Sequence, residues 1–164
     1  MEGRMKYRLR DANEDDLVKI YEIERLSFKN PYGYDLLWWL LKAQNCFFIV
    51  AETDNEIIGY LIGRYEREHI FSKLKRGHIV SIAVHPKWRR KGVGTALMLE
   101  AIRRFREANC TRVILEVRVS NKPAIQLYEK LGFRRIKRIK GYYIDGEDAW
   151  VYELPLKERE KPND

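Results

Sequence analysis

The stretch from Gly77 to Val119 limits what this chain can fold into more than any other. Two apolar runs, residues 77–85 and 111–119, bracket Gly92–Ala108, where Val93, Leu97, Ala101, Phe105 and Ala108 recur at helical spacing. A strand, a crossover helix and a second strand make a βαβ unit, whose two strands must run parallel. The rest of the pattern builds around that unit. Met5–Arg10 reads as an edge strand, and Asn13 caps an amphipathic helix with Leu17, Ile20, Tyr21 and Glu24 on one side, ending near Ser27. Asn30-Pro31 breaks the chain before a second helix over 34–44. Residues 46–53 and 56–67 form a hairpin around Asp54-Asn55. A short helix follows over 122–131, and strands near 133–140 and 147–154 meet around Asp145-Gly146. The sum is an α/β chain: a single mixed central sheet of about seven strands flanked by about four helices.

Length agrees with one domain over 1–156, with a charged tail at 157–164, and no repeat, linker or low-complexity run divides the chain. Hydrophobic residues at 45% exclude a disordered chain, while 34% charged residues and no apolar run near 18 residues exclude a membrane span. The amino terminus has no apolar h-region, so the expected compartment is the cytoplasm. Cys46 and Cys110 lie outside any Cys-x-x-Cys or His pair; both are read as core thiols, and no metal centre is expected. Two glutamines against 32 basic and 24 acidic residues resemble a heat-adapted composition. Residues 64–140 hold 21 basic and 6 acidic groups, a net +15, between two negative flanks. That segregation suggests an anionic partner for the middle segment, the alternative being a salt-bridged surface.

The anion is best placed at Val84-His-Pro-Lys-Trp-Arg-Arg-Lys-Gly-Val-Gly-Thr95, where a strand runs through a basic, glycine-containing turn into a helix. Gly92 and Gly94 free the backbone to close on an anion, the first-turn N–H groups of the helix lack partners, and Arg89, Arg90 and Lys91 supply countercharge. The Gly-Lys-Ser/Thr ending of a Walker loop and the third glycine of a dinucleotide fingerprint are both missing.

The segment Ser81–Thr95 resembles the strand and pyrophosphate loop of the GNAT superfamily of acetyl-CoA-dependent N-acetyltransferases, and Leu115–Phe133 resembles the second half of that signature. More narrowly, Leu115-Glu-Val-Arg-Val-Ser-Asn121, Gly141-Tyr-Tyr143 and Asp145-Gly-Glu-Asp-Ala149 resemble the protein N-terminal acetyltransferases of the ribosomal-protein-alanine and archaeal types. The resemblance implies a GNAT fold and acetyl-CoA as the cofactor. It implies acetyl transfer to the α-amine of protein N-termini, ribosomal or nascent chains among them, with no membrane or specific nucleic-acid partner.

Site residues follow from the residues and the resemblance together. The carboxyl ends of the central strands are where an α/β sheet binds ligands, and the backbone of Ile82, Ala83 and Val84 offers groups there; the family places a thioester carbonyl near that strand. Arg89, Arg90, Lys91, Gly92, Val93, Gly94 and Thr95 form the cofactor turn. Asn121 either caps the last helix or meets the cofactor, and Tyr128, bordering the side formed by Ala124, Leu127 and Leu131, either packs in the core or takes the family's general-acid position. Glu116 interrupts an apolar strand, sharing a face with Ile114 and Arg118; it is either a Glu–Arg structural pair or the base. His78, on the face of Val80 and Ile82, occupies a position where the family often has a polar residue sharing a water with that base. Phe28, Pro31 and Tyr32, together with Tyr142 and Tyr143, match the two loops that hold the acceptor peptide in the family. The sequence departs in one respect: Asn30 stands where some relatives carry a Glu. Leu36–Leu41 is apolar on every side of its helix, which predicts burial, the alternative being a docking surface for a partner or second subunit. Two further readings stand beside the first: a GNAT enzyme for small amines or lysine side chains, and a non-enzymatic basic module binding ribosome or nucleic acid.

Overall fold

The computed structural model describes residues 6–156; the expected strand start at Met5 and the tail at 157–164 lie outside the described residues. Among the described residues are seven strands and four α-helices. They are β1 Arg8–Asp11, α1 Leu17–Ser27, α2 Tyr34–Lys42, β2 Cys46–Glu52, β3 Ile57–Arg67, β4 Lys75–Val84, α3 Val93–Glu107, β5 Arg112–Arg118, α4 Lys122–Lys130, β6 Arg134–Ile139 and β7 Ala149–Pro155. The strands hydrogen-bond in the order β1-β2-β3-β4-β5-β7-β6. β4 and β5 run parallel, with Gly77 opposite Val113 and His78 opposite Ile114, while β1–β2, β2–β3, β5–β7 and β6–β7 are antiparallel. This is the mixed α/β sheet with its βαβ unit that the periodicity predicts, each boundary moved by a few residues.

Contacts divide the chain into two compact units. The first joins the described residues up to Arg64 with Val80–Ala101. Its core packs Leu17, Ile20 and Ile23 of α1 and Leu37 and Leu40 of α2 on Phe48, Val50, Tyr60 and Ile62 of the sheet. Asn13 caps as expected, but it opens a 3-10 turn over Glu14–Asp16 that leads into α1. Its side chain accepts the Asp15 N–H and the Asp16 carboxylate accepts its own. Arg10 ties that turn to the sheet, 2.7 Å from Asp16 and 2.9 Å from Glu52. Gly63 faces Phe47 across β2 and β3, and a Cβ there would lie 2.2 Å from the Phe47 ring. The ring lies over the strand because the glycine leaves it room. The buried reading of Leu36–Leu41 holds for Leu37 and Leu40 alone. Leu36 and Trp38 are exposed, and Trp39 is 70% exposed, because one side of α2 faces the core and the others face solvent.

The second unit joins Tyr65–Ile79 with the described residues from Ile102 onward. β5 and β7 pair from Arg112↔Pro155 to Arg118↔Ala149, burying Val113, Leu115, Val117, Val151 and Tyr152. Phe105 of α3 packs on the backbone of β4 at Gly77, where a Cβ would lie 2.5 Å from the ring. The charge segregation resolves here into pairing between segments. Arg112 bridges Glu68 at 2.9 Å and Glu153 at 3.1 Å, Arg118 meets Asp145 and Glu147 at 2.9 Å, and Arg138 meets Asp148 at 2.7 Å. At these positions the acidic carboxyl-terminal flank neutralises the basic middle. Cys110 is buried as expected, Cys46 is only partly buried at the start of β2, and both are free thiols.

Within the first unit, one residue on the apolar side of α1 is a carboxylate. Glu24 is 2% exposed and accepts hydrogen bonds from the Tyr32 N–H at 3.0 Å, the Ser81 hydroxyl at 3.1 Å and the Tyr60 hydroxyl. Those donors join the break after α1 to β3 and β4. Burial raises the Glu24 pKa above its usual 4.5, against the pull of the Tyr32 and Ser81 hydrogen bonds. A raised carboxylate pKa favours the folded state at acid pH, so this stability is full below about 4.5 and is lost as pH rises through the folded value. Glu24→Leu, which strands the donors, is expected to cost about 3 kcal/mol in urea unfolding. Glu24→Gln keeps an acceptor for Tyr32 and escapes the ionisation, so its stability relative to wild type should improve between pH 5 and pH 7.5.

Candidate active site

In the first unit, β4 ends at Val84 and the chain turns twice before α3. The His85 N–H donates to the Ile58 carbonyl at 2.8 Å, and its ring accepts the Lys87 N–H at 3.1 Å, opening a 3-10 turn over Pro86–Trp88. Arg89 then folds back, donating to the Val84 carbonyl at 3.0 Å and the Ser27 hydroxyl at 3.3 Å. Arg90 and Gly92 adopt φ of 60° and 81°. At Gly92 the backbone conformation makes the demand: an added Cβ would meet nothing within 4 Å, but the left-handed region is strained for other residues. Space for the anion is therefore open above the glycine rather than created by it. The first helical bond is Ala96 N–H to the Gly92 carbonyl at 3.0 Å, so the N–H groups of Val93, Gly94 and Thr95 precede it and have no acceptor within the helix. The Val93 side chain is itself in the core, 1% exposed.

Arg89, Arg90 and Lys91 are exposed, and among the described residues none of them has an ion pair, in contrast to Arg112, Arg118 and Arg138. The Lys91 ammonium lies 5.7 Å from the centre of the Trp88 ring. Unneutralised cations beside a helix start, on a turn set by two left-handed residues, suit a pyrophosphate. Just upstream, Ile82 and Val84 are partly buried and Ala83 is in the core, as the alternation along β4 requires.

The second unit carries the titratable residues. The His78 Nε2 lies 2.7 Å from Glu116 Oε2 and its Nδ1 lies 2.6 Å from Glu66 Oε1. The Glu–Arg alternative for Glu116 is overturned, because Arg118 turns to Asp145 and Glu147. His78 meets Glu116 directly, where a shared water was expected. Burial acts to lower the imidazole pKa, but the hydrogen bonds and charges of Glu116 and then Glu66 outweigh it and raise the value. Glu66 carries no signal in the sequence: it sits in a hairpin strand among Arg64, Tyr65 and Arg67, and only the pairing of strands brings it to His78. Glu24 was legible only as a member of the apolar side of α1.

Tyr128 is the one buried residue of α4, more enclosed than the partly buried Leu127 and Leu131 that were expected to form the apolar side. Its ring lies 6.1 Å from that of Phe133, and burial pushes its phenol well above the usual range, so it stays protonated. Asn121 caps α4, its side-chain oxygen accepting the Ala124 N–H at 3.3 Å, which is the structural alternative weighed for it. Tyr142 and Tyr143 lie in the turn after β6, edge to face at 5.0 Å, and the Arg118 guanidinium sits 4.1 Å from the Tyr143 ring centre. Asp145 and Glu147 hold that arginine, and Asp148 accepts the Gly141 N–H at 2.8 Å, so the acidic motif builds the aromatic turn. In the first unit, Phe28 and Tyr32 pack partly buried on the core and Pro31 is exposed.

Comparison with known proteins is consistent with this chemistry. Residues 14–133 match the acetyltransferase (GNAT) family. The chain is 43% identical over 157 residues to the N-alpha-acetyltransferase of Sulfurisphaera tokodaii, covering 92% of this chain and 94% of that protein. Its fold superposes with a TM-score of 0.82 on the ribosomal-protein-S18-alanine N-acetyltransferase of Escherichia coli, at 25% identity over 96% of this chain and 99% of that one. The score is also 0.82 for Ard1 of Thermoplasma volcanium, at 28% identity over 93% and 100%. A family match spanning most of the chain, a relative at this identity over nearly its full length, and a fold that superposes on solved structures lead to one conclusion: the chain belongs to the GNAT acetyltransferase family.

Proposed function

We propose that this chain transfers acetyl to the α-amine of protein N-termini by direct attack in a ternary complex. The hydrogen-bonded Glu116–His78 pair carries the reading, because it is a proton acceptor on a strand where a carboxylate has no packing use. The N-alpha-acetyltransferase of Sulfurisphaera tokodaii supports the choice of amine. Acetyl-CoA supplies the activated acetyl thioester. The turn from Arg89 to Thr95 binds its pyrophosphate, and the backbone at Ile82, Ala83 and Val84 orients and polarises the thioester carbonyl. Glu116 and His78 take the proton from the amine. An α-amine has a pKa of about 8 against about 10.4 for lysine, so a modest base suffices at neutral pH. Tyr128 stays protonated at every working pH and donates a hydrogen bond to the leaving sulfur; its raised pKa makes it a better donor of a bond than of a whole proton. Asn121 positions the start of α4 on that side. Phe28, Pro31, Tyr32, Tyr142 and Tyr143 hold the acceptor's first residues by ring packing and hydroxyl hydrogen bonds, with nascent chains the natural source of such termini.

Incubation with acetyl-CoA and peptides beginning Ser, Ala or Met, read by mass, should give products acetylated at the α-amine. Spermidine and Nα-blocked lysine peptides should give none; product from these alone would move the assignment to the rival enzyme class. Calorimetry should find that Gly94→Glu, which puts a carboxylate into the first turn of α3, no longer binds acetyl-CoA while unfolding as wild type does. Unchanged affinity would remove the turn from the cofactor site.

Two further variants should fail differently. Glu116→Gln loses basicity, so its rate deficit should be greatest at low pH, roughly a hundredfold, and should shrink above pH ~8 as free amine forms on its own. Tyr128→Phe should lose a similar factor with little recovery, and should lose less with a thioester of a more acidic thiol. Parallel pH–rate profiles for the two would contradict this division of roles.

A further inference from the structure

The structure assigns Glu66 as a positioning residue of the proton acceptor: it takes the Nδ1–H of His78 and leaves Nε2 as the atom that shares a proton with Glu116. Two carboxylates and an imidazole from three adjacent strands are joined by two hydrogen bonds within the second unit. Glu66 Oε1 lies 2.6 Å from Nδ1 and Glu116 Oε2 lies 2.7 Å from Nε2, with side-chain exposures of 18%, 13% and 19% for Glu66, His78 and Glu116. The other oxygen of Glu66 accepts a hydrogen bond from Arg76 at 3.1 Å, which fixes the carboxylate plane. Glu66 from β3 and Glu116 from β5 thus face the two nitrogens of the imidazole, and Arg76 from β4 faces Glu66.

A histidine between two carboxylates has one proton too many to act as a base while both nitrogens are protonated. When the shared proton leaves, the remaining one must stay on one nitrogen, and the ionised Glu66 decides that it stays on Nδ1. The Nε2–Glu116 end is then the vacant end. On acetyl transfer the amine N–H bond breaks, the proton joins the Nε2–Glu116 pair, and it returns from there to water; Nδ1–H and Glu66 are unchanged throughout. The charge of Glu66 also keeps the pair basic enough to accept that proton near neutral pH.

This inference rests on the proposed acetyl transfer for its kinetic arm and on the fold alone for its spectroscopic arm. With only three histidines in the chain, the His78 ring signals can be assigned and titrated by NMR. In Glu66→Gln, which keeps an acceptor and loses the charge, the His78 midpoint should fall by about one pH unit, and the acid limb of kcat/KM should move down with it by the same amount. KM for acetyl-CoA should stay as in wild type. Glu66→Asp, which keeps the charge, should leave both near their wild-type positions, and it carries the test should the Gln variant fold poorly. A His78 midpoint unmoved in Glu66→Gln overturns the assignment, as does a midpoint that moves while the acid limb stays. Wild-type protein that acetylates no α-amine would sink the functional reading instead, while the NMR titration would still decide whether Glu66 holds the imidazole.

Discussion

The parallel register between β4 and β5 is the constraint from which the chemistry follows. Side chains of one parity share a face of a sheet, so setting His78 opposite Ile114 also sets it on the face that carries Glu116. A carboxylate in the middle of a strand with Val113, Leu115 and Val117 costs desolvation, and the register offsets that cost with an imidazole. Antiparallel pairing with β7 lets the same strand end in Arg118, held by acids of the turn before β7. One strand thus carries the carboxylate that meets His78 and, two residues on, the support of an aromatic turn.

Buried or half-buried charge serves as the positioning device in both units. Glu24 joins the break after α1 to the first unit's sheet by taking donors from Tyr32, Tyr60 and Ser81. Arg112, between Glu68 and Glu153, joins the loop after β3 to β5 and β7 in the second. In each case a single buried or half-buried group ties its own segment to at least two others, so losing it disturbs all of them, whereas removing one hydrophobic contact leaves the others in place. This is how loops without regular structure come to have defined geometry.

What could be read from the sequence divides along the same line. Elements whose periodicity is local, such as the βαβ unit, the two hairpins and α1, were legible because apolar spacing alone specifies them. The basic turn before α3 was legible because its glycines, its cations and the following helix are contiguous, although the reason for Gly92 is its positive φ rather than room. Glu66 and the partners of Glu24 were not, since a cross-strand neighbour has no signature along the chain. The charge pattern left two readings open for the same reason: counting along the sequence separates Arg118 from Asp145 and Glu147, and folding brings them to 2.9 Å. The Leu36–Leu41 stretch shows the limit of composition, because a helix apolar on all sides still has one core to face.

The three consecutive cations of the turn have a consequence for the life of the protein as well as for its catalysis. Arg89, Arg90 and Lys91 repel one another on a backbone already held at two left-handed residues, and no acid among the described residues relieves them. A polyanion seated there removes that repulsion in the folded state alone. Ligand at a hundredfold excess over its dissociation constant stabilises a fold by about 2.7 kcal/mol, a large share of a small domain's margin. On the proposed reading of the turn, that gain follows total coenzyme A rather than its acetylated fraction, since both carry the same phosphates.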